Sequence, residues 1–238
     1  MPSAGHSGTA SGGQLEEKVD LSKEVDAKIP QAETLCKAGQ VREALALLAA
    51  LEKKCRVGND TTSLVRVCET SLQLCKDAND LEALLTTLKT LSTRRSQKSA
   101  AVRALVHKAL PWCIQDGHVP LSTVTTDKEK EDRNKLVEAL RDITDGKIFL
   151  EAERARLTRA LATIKEVDYD DIAGAALLMQ DVHVETYGSI SKKEKIEFIL
   201  EQIRLTLAKK DFVRAAIVAG KISKKNLAEE TMQEYKVR

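Results

Sequence analysis

A five-residue pattern recurs along this chain: a polar residue, a large apolar residue, two spacers and an alanine. Asp171-Ile172-Ala173-Gly174-Ala175 and Asp211-Phe212-Val213-Arg214-Ala215 carry it, and Gln40-Val41-Arg42-Glu43-Ala44 is an earlier copy. Asp80-Leu81-Glu82-Ala83-Leu84 is a degenerate copy with the alanine one position early. The pattern predicts a tight turn feeding the second helix of a hairpin. The apolar residue inserts between the two helices, and the small residue four positions on lets them approach closely. A chain that repeats this unit is constrained to a stack of helical hairpins, each burying an apolar stripe on its neighbours.

Breakers and periodicity divide the chain accordingly. Residues 1–19 are Gly, Ser, Ala and Thr with hardly an apolar anchor, so burial cannot offset the entropy of ordering them, and a disordered tail is expected. Helical periodicity begins near Leu21. Pro30 is expected to open a fresh helix at its first turn, where its missing N–H costs nothing, and Gly39 to end it. Further helices are expected near 41–55, with Val41, Ala44, Leu45, Leu48 and Leu51 on one stripe, then near 61–77, 80–93 and 98–112, the last ended by Pro111. Gln115 to Thr126 reads as loop. Helices resume near 127–142, 147–165, 170–184, 191–209 and 211–221, and Ile196, Ile199, Leu200, Ile203 and Leu207 form the expected buried stripe of the penultimate one. One more helix is expected after Lys221, with Leu227, Met232, Tyr235 and Val237 as its apolar residues. The fold class expected is all-α: a right-handed α-solenoid of divergent, TPR-like hairpins over residues 20–238.

Composition agrees. Aromatic residues are 3% of the chain and Gly and Pro number 11 and 4, which suits helices and not sheets. The 38 basic and 36 acidic side chains nearly cancel and are interspersed, so a dominant polyanion-binding role is not implied. No apolar run reaches the roughly 18 residues that span a bilayer, and the N-terminus lacks the blocks of a signal peptide, so no membrane partner is expected and a soluble, intracellular chain is.

No phosphate-binding loop, nucleophile elbow or zinc-binding helix motif occurs, so no catalytic, cofactor-binding or metal-binding residue is assigned. The five cysteines, Cys36, Cys55, Cys68, Cys75 and Cys113, are odd in number and contain no C-x-x-C pair. They read as buried thiols. A Cys113 nucleophile served by His107 requires a tertiary arrangement that six-residue helical spacing does not supply. Asp168, Asp170 and Asp171 lack the Gly and distal Glu of a calcium loop and read as helix-entrance caps. Basic pairs at Arg94-Arg95, Lys192-Lys193, Lys209-Lys210 and Lys224-Lys225 have no aromatic residues between them for stacking bases, so nucleic acid is not the expected partner. Arg94 and Arg95 are the candidate protein-partner contact, because two arginines at a helix end can form bidentate pairs with acidic surfaces.

Glu153-Arg154-Ala155-Arg156-Leu157, Tyr187-Gly188-Ser189 and Phe198-Ile199-Leu200-Glu201-Gln202, with Asp26-Ala27-Lys28-Ile29-Pro30 and Leu91-Ser92-Thr93-Arg94-Arg95-Ser96-Gln97 upstream in the same order, carry a resemblance. Over about residues 20–225 the chain resembles the non-ATPase regulatory subunit 12 family of the 26S proteasome lid, scaffold subunits of the PCI type. The resemblance implies a helical solenoid that precedes a PCI and winged-helix domain, and no winged-helix strands occur up to Arg238. It also implies a non-catalytic scaffold in ubiquitin-dependent degradation, without cofactor or small-molecule substrate. The implied partners are other lid subunits, the deubiquitinating subunit and the outer ring of the core particle, in cytoplasm and nucleus. A related signalosome subunit and an RNA-binding helical repeat protein are the alternatives. The Tyr187-Gly188-Ser189 and Phe198–Gln202 matches favour the proteasome.

Overall fold

The computed structural model describes residues 19–115, 119 and 126–222. Among the described residues ten α-helices follow one another without a strand: α1 Ser22–Lys37, α2 Val41–Val57, α3 Thr61–Asp77, α4 Leu81–Thr93, α5 Ser99–Ala109, α6 Asp127–Thr144, α7 Glu151–Tyr169, α8 Ile172–Gln180, α9 Lys192–Ala208 and α10 Phe212–Ala219. The expected tail lies outside the described residues up to 18. So do the expected helix beyond Lys221, apart from Ile222, and most of the expected loop between Gln115 and Thr126.

The turns explain the pairing. Gly39, Asn59, Asn79 and Lys210 each take a left-handed φ just after a helix. The next residue then donates its N–H back into the last turn: Gln40 to the Leu35 carbonyl, Asp60 to Cys55, Asp80 to Cys75 and Asp211 to Thr206. This Schellman closure satisfies the orphan carbonyls of the outgoing helix. The same residue caps the incoming helix, since Asp60, Asp80 and Asp211 accept from the backbone N–H groups of Ser63, Ala83 and Arg214. Asp171 does this for Gly174 after Asp170, also left-handed. Gln40 makes no side-chain cap. Asp60-Thr61-Thr62-Ser63-Leu64 is thus a further copy of the turn, which sequence reading missed because Thr61 stands where the other copies show a large apolar residue and Leu64 where most show alanine.

Two expectations are corrected here. Pro30 lies inside α1 and does not start a helix. Its carbonyl accepts from the Thr34 hydroxyl at 2.8 Å, and α1 packs on both α2 and α3, which holds the helix together through the lost hydrogen bond. The buried stripe of α9 is rotated from the expected one: Ile196, Phe198, Ile199, Gln202, Leu205 and Thr206 are buried, and Leu207 is 46% exposed. Gln202 earns its interior place by donating to the Met179 and Val182 carbonyls at 2.6 and 2.9 Å, closing the end of α8.

Consecutive helices pack as hairpins, α1 on α2, α3 on α4, α7 on α8 and α9 on α10, while α3 also packs on α1 and α5, and α6 on α4 and α7. One core cluster runs from Val25 of α1 to Ile164 of α7, and a second joins Ala152, Ala155 and Ala162 of α7 to Met179, Phe198, Leu205 and Val218. α7 therefore buries two faces, Leu157, Ala160, Leu161 and Ile164 on one core and Ala152, Ala155 and Ala162 on the other. The alanines of the turn units are buried, Ala44 and Ala175 at 0% and Ala215 at 4% exposure. The insertion expected of the preceding apolar residue fails at Phe212, which is 66% exposed; among the described helices α10 packs chiefly on α9.

Candidate functional site

The corner between α4 and α5 carries Arg94 and Arg95, and a carboxylate buried in α2 organises it. Glu52 follows Leu51 on the stripe that also buries Ala44, Leu48 and Cys55, so the helix that packs α2 also draws this carboxylate inside. Glu52 is 1% exposed. Its Oε1 accepts from Arg56 Nε at 2.9 Å and from Gln97 Nε2 at 3.2 Å, and its Oε2 lies 3.3 Å from Arg94 Nε. That last contact is an ion pair without hydrogen-bond geometry, and it leaves both atoms buried without a hydrogen bond. Arg56 Nη1 reaches across to the Arg95 carbonyl at 2.9 Å. Gln97 also donates to the Leu91 carbonyl and accepts from the Lys98 N–H, which pins the corner. Arg94 is half-buried and Arg95 exposed. Sequence reading singled out the two arginines and not the Glu52, Arg56 and Gln97 that surround them. The available signal was a lone carboxylate inside an apolar stripe.

The stacking of α9 on α7 is tied by two guanidinium forks. Arg156 Nε and Nη2 meet the Glu194 oxygens at 2.7 and 2.9 Å, and Arg204 meets both oxygens of Glu166 while also pairing with Glu201. The Arg204 hydrogen bonds hold the Glu166 carboxyl below the usual carboxylate range, and those of Glu194 push the Arg156 guanidinium up. Arg133 is buried between α6 and α7, on Asp168 and on Asn134, whose amide in turn reaches the Tyr169 hydroxyl.

Nothing brings the weighed reactive groups together. Cys113 donates to the Leu110 carbonyl at 3.4 Å, and burial pushes its thiol up to about 12. His107 pairs with Glu153 at 2.8 Å. Burial likewise raises Cys68 to about 12 and Cys55 to about 11, so thiolate chemistry is disfavoured at these positions. The three aspartates near 170 diverge, Asp168 onto Arg133, Asp170 into the turn, and Asp171 onto Gly174 N–H and Lys165. Among the described residues no group of His, Cys, Asp and Glu is placed to hold a metal ion.

The chain matches the family model described as "PSMD12/CSN4, N-terminal" over residues 43–238. It is 39% identical over 218 residues to the 26S proteasome non-ATPase regulatory subunit 12 of Dictyostelium discoideum, covering 92% of this chain and 46% of that protein. It is 38% identical over 199 residues to homolog A of that subunit in Arabidopsis thaliana, covering 84% of this chain and 42% of the relative. Its identity to the 26S proteasome regulatory subunit RPN5 of Saccharomyces cerevisiae is 31% over 218 residues, with 92% and 46% covered. The chain thus spans just under half the length of these relatives. Helical hairpins, capped turns and the match from α2 onward coincide, and the chain belongs to the PSMD12/CSN4 family, within its N-terminal region.

Proposed function

We propose that this chain is a non-catalytic scaffold of the lid of the 26S proteasome regulatory particle, supporting ubiquitin-dependent protein degradation by holding other subunits through protein–protein contacts. The observation that carries this reading is the likeness to named proteasome regulatory subunits over 92% of the chain. The physical arrangement supports it. The well-formed interactions are ties between helices, and the buried thiols sit well above neutrality. Other lid subunits, the deubiquitinating subunit and the core particle's outer ring are the proposed partners, with residence in cytoplasm and nucleus. Arg94 and Arg95 are the proposed contact. The proteasome is preferred over the signalosome because the relatives above carry proteasome names.

Glycerol-gradient sedimentation of a cell extract tests this reading. The chain is expected in the heavy fractions that contain regulatory-particle subunits. Sedimentation only at the top of the gradient, while those subunits run heavy, overturns it.

A further inference from the structure

We propose that the corner formed by the end of α2 and the α4–α5 turn is a preorganised carboxylate receptor, and that its occupant is an acidic segment of a neighbouring protein. The inference rests on the scaffold reading and deepens it by giving one face a partner of stated chemistry.

Two guanidinium groups share one buried carboxylate here, and a third, that of Arg95, stands beside them. Arg56 and Arg94 both turn their Nε toward Glu52, at 2.9 and 3.3 Å. Arg94 Nε is fully buried while its side chain as a whole is 30% exposed, so what solvent meets is the rest of the side chain. Arg56, only 14% exposed, stays behind and fixes the Arg95 carbonyl, hence the backbone from which the exposed Arg95 side chain projects. A carboxylate that neutralises one guanidinium leaves this corner with excess positive charge. Arg56 is held by hydrogen bonds and Arg94 by its buried ion pair with Glu52 before any partner arrives, so less side-chain entropy is lost on binding.

The geometry favours carboxylates. A guanidinium offers a carboxylate two parallel N–H bonds, which a flexible ammonium cannot do, and the 30% of the Arg94 side chain that stays exposed lies beyond its buried Nε. Nucleic acid is the weaker fit. Trp112, Phe149, Tyr169, Tyr187, Phe198 and Phe212 all belong to later parts of the chain, so no aromatic ring comes from α1 to α4 or the corner itself to stack a base.

A fluorescein-labelled peptide of alternating Glu and Ser, titrated with the chain and read by anisotropy, tests the proposal. Binding is expected to weaken with salt, and Arg94→Ala with Arg95→Ala to weaken it about tenfold or more. Glu52→Gln makes the chain more positive, so unorganised charge attraction predicts tighter binding; the preorganised corner predicts weaker binding. Arg94→Lys with Arg95→Lys keeps both charges without the forks and is expected to bind several-fold less tightly at an unchanged circular dichroism spectrum. Unchanged peptide affinity in the alanine or lysine pair overturns the proposal. So does tighter binding by Glu52→Gln, or a uridine oligonucleotide that outcompetes the peptide at this corner. The titration contains no lid subunit, so peptide binding by a chain that fails to sediment with the particle refutes only the scaffold assignment, and the reverse result refutes only the receptor.

Discussion

Ala44, Ala175 and Ala215 occupy the position four residues after a turn, and each is buried in a helix that packs on its hairpin partner. Replacing Ala215 by Leu overpacks that contact and is expected to cost about 1–3 kcal/mol in a denaturant melt. Phe212→Ser, three positions away on an exposed face, is expected to change stability by less than about 0.5 kcal/mol. Equal effects would mean that the alanine is not the close approach. Thiol titration gives a second reading at this scale. Cys36 is half-buried and is expected to react first with a disulfide reagent at mildly alkaline pH, whereas Cys55, Cys68, Cys75 and Cys113 react only on unfolding. Fast native reaction of Cys113 contradicts this. The alanines and four of the five thiols were legible because small and apolar residues at helical spacing report burial directly, whereas Cys36, also read as buried, is only half-buried. Glu52 and Gln202 were not, since a polar residue survives inside only with partners that lie distant in sequence, Arg94 and Gln97 for one and the Met179 and Val182 carbonyls for the other.

The helices begin and end where their caps put them. α3 and α4 start after Asp60 and Asp80, and both aspartates accept from the third residue of the helix. Asp60 Oδ2 also accepts from the Leu21 N–H at 3.0 Å, so it holds the start of α1 as well. Asp80→Ala is expected to cost about 1 kcal/mol and Asp60→Ala more, read as melting temperatures at neutral pH. A smaller loss at Asp60 would show that the Leu21 contact contributes nothing. Turn chemistry made most boundaries legible; the Pro30 misreading came from treating a local rule as decisive where α2 and α3 support the helix from outside.

The fork between α7 and α9 adds a pH dependence. Arg204 hydrogen bonds hold the Glu166 carboxyl below its ordinary value, near 4.3, so their stabilisation is fully present above that value and is lost as the pH falls through the lower folded one. Glu166→Gln is expected to lower stability at pH 7 by under about 1 kcal/mol, since Arg204 is half-exposed, and the difference is expected to shrink as the pH falls below the ordinary glutamate value. A difference that persists at low pH would show that the glutamine acts through packing and not through lost charge. The pairing of these two residues could not be read from sequence, because their helices are separated by α8.

At the scale of the molecule, α7 joins the hairpins before it to those after it by contributing to both cores. The far end is apolar on its outside: Phe212, Val213 and Ile217 of α10 are 66%, 76% and 65% exposed, and Leu207 of α9 adds to them. The hairpin architecture was legible in repeated turns and stripes. Of the candidate corner only Arg94 and Arg95 were, because interspersed charge along the chain resolves into faces only when helices are stacked. Under the proposed function such a stack works by contact within the proteasome lid. Affinity purification of the tagged chain from its own cells, with quantitative mass spectrometry of what accompanies it, tests this most directly. Regulatory-particle subunits recovered in near-equimolar amounts are the predicted result. Recovery of the chain alone, or with RNA and RNA-binding proteins that nuclease treatment removes, would contradict it.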